Sequence, residues 1–396
     1  MPMRPPAGFI SAFYDPLKNP NAPTIGTATG GDASASVAFT APSNVGGSAI
    51  SSYSAISTPQ GIIASAASSP ISVTGLTNGT AYTFAVWATN TYGPSAFSAA
   101  SGSVTPSLSR GIFAGGNGGG NVIDYIDITT LGNATDFGDL LVSGTFAEGC
   151  ASSVRGVFQS GDGSNVLQYV TIASAGNATD FGDMYVAVSD GSATGNNSTR
   201  GIFAGGLNSS NNPTNVIQYV TIASLGNSSD FGDLTEDVKR TTGASSPTRT
   251  VRAGGEINGG VSAVIDYITT ATLGNAANFG NLTEARRELA GAANATRALF
   301  FGGRNSSSTR VSTIDYITLA STGNATTFGN TTTASDFGAA VANATRICIA
   351  IGFSTTTVNT IEYVTIATTG NALDFGDLTV ARYSLGSCSS ANGGLQ

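Results

Sequence analysis

Short runs of alternating apolar and polar residues follow one another along the first quarter of the chain. Segments such as ASASVAFTAP, SPISVTGL and AYTFAVWATN alternate in this way, and the turn-forming stretches SNVGGS and TNGT separate them. A period of two residues predicts strands that are buried on one face only. About seven such strands within roughly 90 residues are typical of a β-sandwich.

The rest of the chain contains six copies of one pattern. In each copy an arginine opens an apolar strand that ends in one or two glycines, as in RGIFAGG, and a tyrosine and a phenylalanine follow. The phenylalanines are Phe137, Phe181, Phe231, Phe279, Phe328 and Phe375, at steps of 44, 50, 48, 49 and 47 residues. A tyrosine precedes each by 12 residues: Tyr125, Tyr169, Tyr219, Tyr267, Tyr316 and Tyr363. Repeats of this length are typical of the four-stranded blades of β-propellers.

The order of a glycine pair, a tyrosine and a second aromatic residue resembles the kelch repeat, with phenylalanine where tryptophan is usual. The resemblance spans residues 110–396 and implies a six-bladed β-propeller over residues 108–396. The final segment, ARYSLGSCSSANGG, is similar to the segment AEGCASS that precedes Arg155. We therefore expect residues 383–396 to complete the first blade, so that no strand edge stays unpaired.

The segment LTNGTAYTFAVWATNTYGPSAFS resembles the second half of a fibronectin type III domain. The resemblance implies that Leu76 and Tyr82 form a tyrosine corner, and Phe39 stands where a buried tryptophan is usual. The predicted fold class is therefore all-β: an arm over residues 1–22, a fibronectin type III-like β-sandwich over 23–107, and a six-bladed kelch-like β-propeller closed by the C-terminal strand.

The segment TLGNATDFGDL contains a DFG triplet, as protein kinases do, and an Asn-Ala-Thr glycosylation acceptor. Its recurrence in every repeat indicates a structural turn instead. We expect Phe137 to pack between blades, Gly138 to allow a tight chain path, and Asn133 and Asp136 to bond the local backbone.

Arginines recur at the start of the glycine-pair strand: Arg110, Arg155, Arg200, Arg249, Arg297 and Arg346. They lie at the same end of the strands as the GNATD turns, where six cations in a ring would suit an acidic partner. The alternative that we favour is structural, with each arginine paired to a nearby aspartate such as Asp136, Asp180, Asp230 or Asp374.

Composition narrows the chemistry. The chain has no histidine, which excludes histidine-based catalysis and histidine-ligated metals such as the copper of galactose oxidase, a kelch-type enzyme. Its three cysteines are far apart, and its net charge of −8 argues against nucleic-acid binding. No apolar run is long enough to cross a membrane, and the first 20 residues make a poor signal peptide. We expect no cofactor and no metal.

Variation is concentrated in the loops after the glycine pairs, and such loops commonly carry binding residues. Their asparagines, serines and threonines suit sugar hydroxyls or a polar protein surface. The blade-to-blade crossovers add arginines near the predicted channel mouth, which would either meet an anionic polysaccharide or only solvate the rim. The candidate ligand-binding residues are Asn117, Asp162, Asn211, Asn212, Glu256, Arg304, Asn305, Arg286 and Arg382.

We expect a non-enzymatic display protein. Its Gly/Ser/Thr/Asn-rich repeats and its pairing of modules resemble virion appendage proteins of tailed phages, in particular those of marine bacteria. The resemblance implies a place on the virion surface, oligomeric on the particle, with the arm docked on other virion proteins and the propeller facing host polysaccharide. The alternatives are a secreted bacterial adhesin and a polysaccharide-active enzyme that uses Glu256 or Glu284.

Overall fold

A computed structural model describes residues 17–391 of the chain. Residues 17–391 contain β-strands and no helix, and all strand pairs are antiparallel. The protein is therefore all-β, as predicted. The chain divides into two compact units, one up to Leu108 and one from Ser109. Residues 1–16 of the expected arm and residues 392–396 of the expected closing segment lie outside the described residues.

The first unit contains two antiparallel sheets. Strands β1, β2 and β5 form the first sheet, and β4, β3, β6 and β7 form the second. The strands are β1 (Thr24–Gly31), β2 (Ser34–Thr40), β3 (Ser52–Thr58), β4 (Ile63–Ala66), β5 (Ile71–Thr74), β6 (Thr83–Asn90) and β7 (Gly93–Pro94).

The two sheets of the first unit share one apolar cluster. Every second residue of β2, β5 and β6 contributes its side chain to this cluster. Tyr82 is fully buried at the edge of this cluster, where its hydroxyl accepts from the Thr77 amide at 3.0 Å and donates to Gln60 at 2.7 Å. The Phe39 ring lies 4.7 Å from that of Tyr53. The alternation of apolar and polar residues in the sequence thus matches the alternation of buried and more exposed side chains along these strands.

The second unit, which we call the six-sheet unit, begins with β8. Its first fifteen strands are β8 (Arg110–Ala114), β9 (Val122–Asp127), β10 (Thr135–Asp139), β11 (Glu148–Ala151), β12 (Arg155–Gln159), β13 (Val166–Thr171), β14 (Thr179–Asp183), β15 (Ala193–Asn196), β16 (Arg200–Ala204), β17 (Thr214–Thr221), β18 (Ser229–Val238), β19 (Thr242–Ser245), β20 (Arg249–Ile257), β21 (Gly260–Thr269) and β22 (Ala277–Asn281).

The remaining strands are β23 (Arg286–Arg287), β24 (Ala290–Ala293), β25 (Arg297–Phe301), β26 (Arg304–Asn305), β27 (Thr313–Thr318), β28 (Thr326–Asn330), β29 (Ala339–Ala342), β30 (Arg346–Ala350), β31 (Thr360–Thr365), β32 (Leu373–Asp377) and β33 (Gly386–Ser389). Strands β23 and β26 form a separate two-stranded ribbon.

Six four-stranded sheets make up most of this unit. Sheet one has the order β33-β8-β9-β10, so its first strand comes from the C-terminal end of the chain, with Gly386 opposite Ala114. Sheets two, three and four are β11–β14, β15–β18 and β19–β22; sheet five is β24, β25, β27 and β28; sheet six is β29–β32. The first strand of each sheet contacts the first strand of the next, and β29 of sheet six contacts β33 of sheet one.

Apolar side chains fill the spaces between neighbouring sheets. One cluster joins residues of sheets five and six, and another joins sheet six to sheet one through Phe113, Cys348 and Phe375. Within each sheet the repeated tyrosine and phenylalanine meet edge to face, with ring centroids 5.9 to 6.2 Å apart. The constant spacing of 12 residues places both rings on one face of adjacent strands.

The repeated arginines stack on tyrosines and reach into the next sheet. Arg155, for example, lies 4.4 Å from the ring centroid of Tyr169 in its own sheet and donates through Nη1 to Ile222 O of sheet three at 2.8 Å. The other five arginines repeat this arrangement. The expected pairing with aspartates is therefore wrong: within residues 17–391, the guanidinium groups are held by rings and by carbonyls of the neighbouring sheet.

The Gly-Asn turns also join neighbouring sheets. Asn177 Oδ1 of sheet two accepts from the Asp139 amide of sheet one at 3.0 Å, and Asn133 Oδ1 of sheet one accepts from the Asp377 amide of sheet six at 3.1 Å. The prediction that Asn133 bonds the local backbone is thus wrong, because its acceptor atom faces the preceding sheet. A Cβ at Gly138 would lie 2.6 Å from the Gly176 backbone, which explains the glycine of the DFG triplet.

Candidate functional site

Six residues that precede the first strands follow one another in cyclic order and are joined by backbone hydrogen bonds at every step but that from Phe146 to Asp190; we call them the entry ring. Each has a positive φ, between 52° and 60°, a conformation in which non-glycine residues are uncommon. Five amide-to-carbonyl bonds of 2.8 to 2.9 Å connect neighbouring members in ring order. The members are Phe146, Asp190, Arg240, Glu288, Phe337 and Ser384.

Entry-ring side chains differ from repeat to repeat, although their backbone positions are equivalent. Arg240 pairs with Asp190 at 3.0 Å, with Glu288 at 3.0 Å and with Glu256 at 3.3 Å. Burial alone would lower the pKa of Arg240, but the hydrogen bond to Asp190 and the surrounding carboxylates raise it above its ordinary value. One side of the ring is therefore a fixed ion cluster.

The ion cluster extends outwards into the loops of sheets four and five. Lys239, Arg287 and Arg304 join Arg240 as cations around Glu256, Glu288 and Asp336. Arg310 also pairs with Asp336, at 2.9 Å. Five cations thus face four carboxylates, counting Asp190. Because the charges nearly cancel, the ion cluster gives little support to the prediction of an anionic polysaccharide ligand.

The opposite side of the entry ring is aromatic. The rings of Phe146 and Phe337 lie 5.7 Å apart, and Tyr383 lies 5.8 Å from Phe337 and 5.4 Å from Phe353. Arg310 covers the outer face of Phe353 at 4.6 Å, where it connects the aromatic group to the ion cluster.

Two of the expected ligand-binding arginines are buried. Arg286 has no exposed surface and pairs with Asp315 at 2.7 Å, while Arg382 pairs in the same way with Asp124 at 3.1 Å. Burial lowers the pKa of both guanidinium groups, and the paired aspartates oppose this effect. The prediction that Arg286 and Arg382 meet a ligand at the channel mouth is therefore wrong, because neither side chain reaches solvent.

Both arginines pair with members of a row of buried polar residues that the sequence pattern did not reveal. The residue just before each repeated tyrosine is polar and almost completely buried: Asp124, Gln168, Gln218, Asp266, Asp315 and Glu362. Each accepts a hydrogen bond from the preceding sheet or the crossover that leaves it, as Gln168 does from the Leu141 amide and Asp266 does from Thr235 of β18. The sequence does contain a signal for this row, because a polar residue directly precedes each of the six repeated tyrosines.

The other predicted residues surround the entry ring. Asn117 is exposed, and its amide donates to Tyr383 O at 2.8 Å. Asp162 is exposed and accepts from the Thr145 amide at 2.7 Å. Each variable loop is thus attached to a residue adjacent to the ring. The same holds at Ser189 with Leu207, Lys239 with Glu256, Arg287 with Arg304 and Asp336 with Phe353.

Like Asn117 and Asp162, Asn211 and Asn212 are exposed. They lie in the loop between β16 and β17, where Asn208 Oδ1 accepts from two amides of the loop and fixes its turn. Asn305 is half-buried and donates to Glu284 at 2.9 Å. Glu256 and Arg304 belong to the ion cluster, with 22% and 27% of their side chains exposed.

A small cavity of about 30 Å³ opens inside the entry ring. It is lined by ring members together with Glu148, the first residue of β11, and Gly191. Burial raises the pKa of the Glu148 carboxyl well above its ordinary value. Residues 17–391 contain no cluster of three or more metal-ligating side chains and no helix long and apolar enough to span a membrane.

No family model matches the sequence, and no curated protein is significantly similar to it.

Proposed function

We propose that the six-sheet unit is a six-bladed, kelch-like β-propeller and that the first unit is a fibronectin type III-like module. The cyclic contacts of the first strands and the pairing of β33 with β8 support the propeller. The Tyr82 hydroxyl, which bonds the backbone five residues upstream, supports the fibronectin-like module.

The protein's proposed role is non-enzymatic display of the entry-ring face for adhesion to a host surface, as a virion appendage of a tailed phage. One observation carries the adhesion role: the six variable loops are all attached to residues adjacent to the entry ring. Variable polar loops on a repeated scaffold are a common arrangement for recognition. The place on a virion rests on the resemblance of the sequence alone.

The glutamates that a polysaccharide-active enzyme would use are engaged in other contacts. Glu256 is paired with Lys239, Arg240 and Arg287, and Glu284 accepts from Asn305. Either carboxylate would have to break these contacts before it could reach a substrate.

Adhesion is tested by binding of the purified, fluorescently labelled protein to candidate host cells. Substitution of Asn211 by glycine, which suits its φ of 59°, and of Asn212 by alanine should weaken binding without a change in melting temperature. The matched control is Ser198→Ala with Ser224→Ala, two exposed serines in loops at the other end of their strands. Equal binding by both double variants, or no binding by the wild type, would contradict the proposal.

The virion location needs a separate experiment. Immunogold electron microscopy of particles from a lysate should show label at the tail tip or fibres. Label over the capsid would point to decoration instead, and unlabelled particles would favour a secreted bacterial adhesin.

A further inference from the structure

The cavity inside the entry ring contains oxygen atoms that lack hydrogen bonds. Glu148 lines the cavity and is partly exposed, and within the described residues its carboxyl has neither a hydrogen bond nor an ion pair. Ser384 Oγ and Glu288 Oε2 are buried and make no hydrogen bond either, although Glu288 Oε2 lies 3.2 Å from Arg304 Nε. Buried polar atoms are normally satisfied, so the unbonded Ser384 hydroxyl and the unpaired Glu148 carboxyl on one cavity indicate an occupant that donates hydrogen bonds.

Aromatic rings form another part of the same wall. Phe146 and Phe337 both line the cavity, and their centroids lie 5.7 Å apart. Aromatic faces attract cations, most strongly where the cation is shielded from water. An uncompensated carboxyl group beside two rings therefore favours a cationic occupant over a neutral one.

We propose that this cavity is a binding site for a primary ammonium group. Such a group has three N–H donors and no acceptor, which matches the two carboxyl oxygens of Glu148 and Ser384 Oγ. A volume of about 30 Å³ has room for roughly two water-sized groups, so an ammonium group and its first carbon fit.

Other occupants fit the site less well. Water satisfies hydrogen bonds but gives the deprotonated form of Glu148 no counter-ion. A divalent metal ion prefers several carboxylate ligands, and the described part of the chain has no cluster of three acidic or other ligating residues there. Arg240 and Glu288, the other charged residues on the cavity wall, are already paired with each other.

Two kinds of molecule present a primary ammonium group to such a surface: an amino sugar of a polysaccharide and a lysine side chain of a protein. The cavity recognises the chemistry that they share. The inference is independent of the proposed adhesion, because a free amine tests the cavity without any cell surface.

The test is an NMR titration of the full chain with methylammonium chloride, followed at the amides of Gly191 and Gly338, which line the cavity. We expect saturable shifts that the Glu148→Gln variant weakens about tenfold or more, as for loss of a charge-assisted hydrogen bond. Glu284→Gln, at an exposed glutamate outside the cavity, is the matched control and should leave the titration unchanged. Affinity should also rise with pH, because the Glu148 carboxyl must lose its proton to pair with the cation.

The source of the amine is tested by two further pairs of probes. Glucosamine is compared with N-acetylglucosamine, and N-acetyl-lysine methylamide with its ε-acetylated form. Binding of glucosamine alone indicates a sugar ligand, and binding of the lysine probe alone indicates a protein partner. Absence of saturable shifts with every amine, equal affinity of the Glu148→Gln variant, or equal binding of the acetylated probes would overturn the proposal.

Discussion

Arg346 Nη1 donates to Ile128 O at 2.9 Å, although the two residues are 218 positions apart in sequence. This bond joins sheet six to sheet one, as equivalent bonds join every other neighbouring pair. The pairing of β33 with β8 adds a second connection between the two ends of the six-sheet unit. We therefore expect the short last strand, β33, to contribute strongly to the stability of the six-sheet unit.

Removal of residues 383–396 should unfold or aggregate the six-sheet unit. The truncation deletes β33, which leaves the edge of β8 unpaired and exposes Phe113 and Ile112 beside it. Size-exclusion chromatography with light scattering and a calorimetric melt measure the effect. The control is removal of residues 392–396, which leaves β33 intact and should keep a monomer with the wild-type melt. A monomeric 383–396 truncation with an unchanged melt would refute this role of the strand.

Replacement of Arg155 by alanine should destabilise the six-sheet unit by about 1–3 kcal/mol, from the lost stacking on Tyr169 and the lost bond to Ile222 O. Arg155→Lys should recover less than half of this, because a lysine ammonium cannot stack flat on the ring and reach the carbonyl as a guanidinium does. Urea unfolding followed by near-UV circular dichroism measures both. The fluorescence of Trp87, the single tryptophan, reports the first unit and should not change. Full recovery by lysine would mean that charge alone matters.

Gly182→Ala should destabilise the unit by more than about 1–3 kcal/mol, the usual cost of strained backbone. Gly182 has a φ of 145°, and its Cβ would lie 2.6 Å from the Gly226 backbone of the next sheet. Gly260→Ala is the matched control, since Gly260 lies in a strand with ordinary φ and open space around it. If thermal melts of the two variants coincide, the close approach of the sheets at the Gly-Asn turns is not a constraint.

The sequence predicted the parts of the fold that depend on regular spacing, either between repeats or between apolar residues within a strand. The constant distance from Tyr169 to Phe181 correctly placed a repeated strand pair, and the alternation in β2 and β6 correctly predicted buried faces. It did not show which side chains cross between sheets. Asn133 was predicted to bond its own turn because a local pattern contains no information about the neighbour 244 residues away.

The buried arginines illustrate the same limit. Arg286 and Arg382 follow crossover segments that look like polar surface, and only the third dimension places them over Asp315 and Asp124. The entry ring was also beyond prediction, because its six members share a backbone angle and not a residue type. The variable loops near the entry ring could be predicted, because their lengths and compositions differ between repeats whereas the spacing from tyrosine to phenylalanine is constant.

Arg286→Met should destabilise the six-sheet unit by about 3–5 kcal/mol, because it leaves Asp315 buried without its cation. Adding Asp315→Asn should restore part of this loss. The recovery is incomplete because Arg286 also donates to Gly302 O and Thr313 O. Arg287→Met, at a half-buried neighbour in the ion cluster, should cost about 1 kcal/mol or less. Urea unfolding at neutral pH measures these changes in the free energy of unfolding. An Arg286→Met variant as stable as the wild type would show that the buried pair of Arg286 and Asp315 contributes nothing to stability.

The Glu148 carboxyl should make the stability of the six-sheet unit depend on pH. Burial raises its pKa in the folded state, so folding favours the protonated form and the unfolded chain favours the charged form. Its contribution is fully present below the ordinary glutamate pKa and is lost as pH rises through the raised, folded-state pKa. Glu148→Gln removes the titrating group, so the variant should be more stable than the wild type at pH 7, with a difference that shrinks in acid. Calorimetric melts of both proteins from pH 4 to pH 8 measure the effect, with Glu284→Gln as the exposed control. A constant difference between wild type and Glu148→Gln across this range would mean that the carboxyl titrates normally and that the cavity carries no desolvated charge.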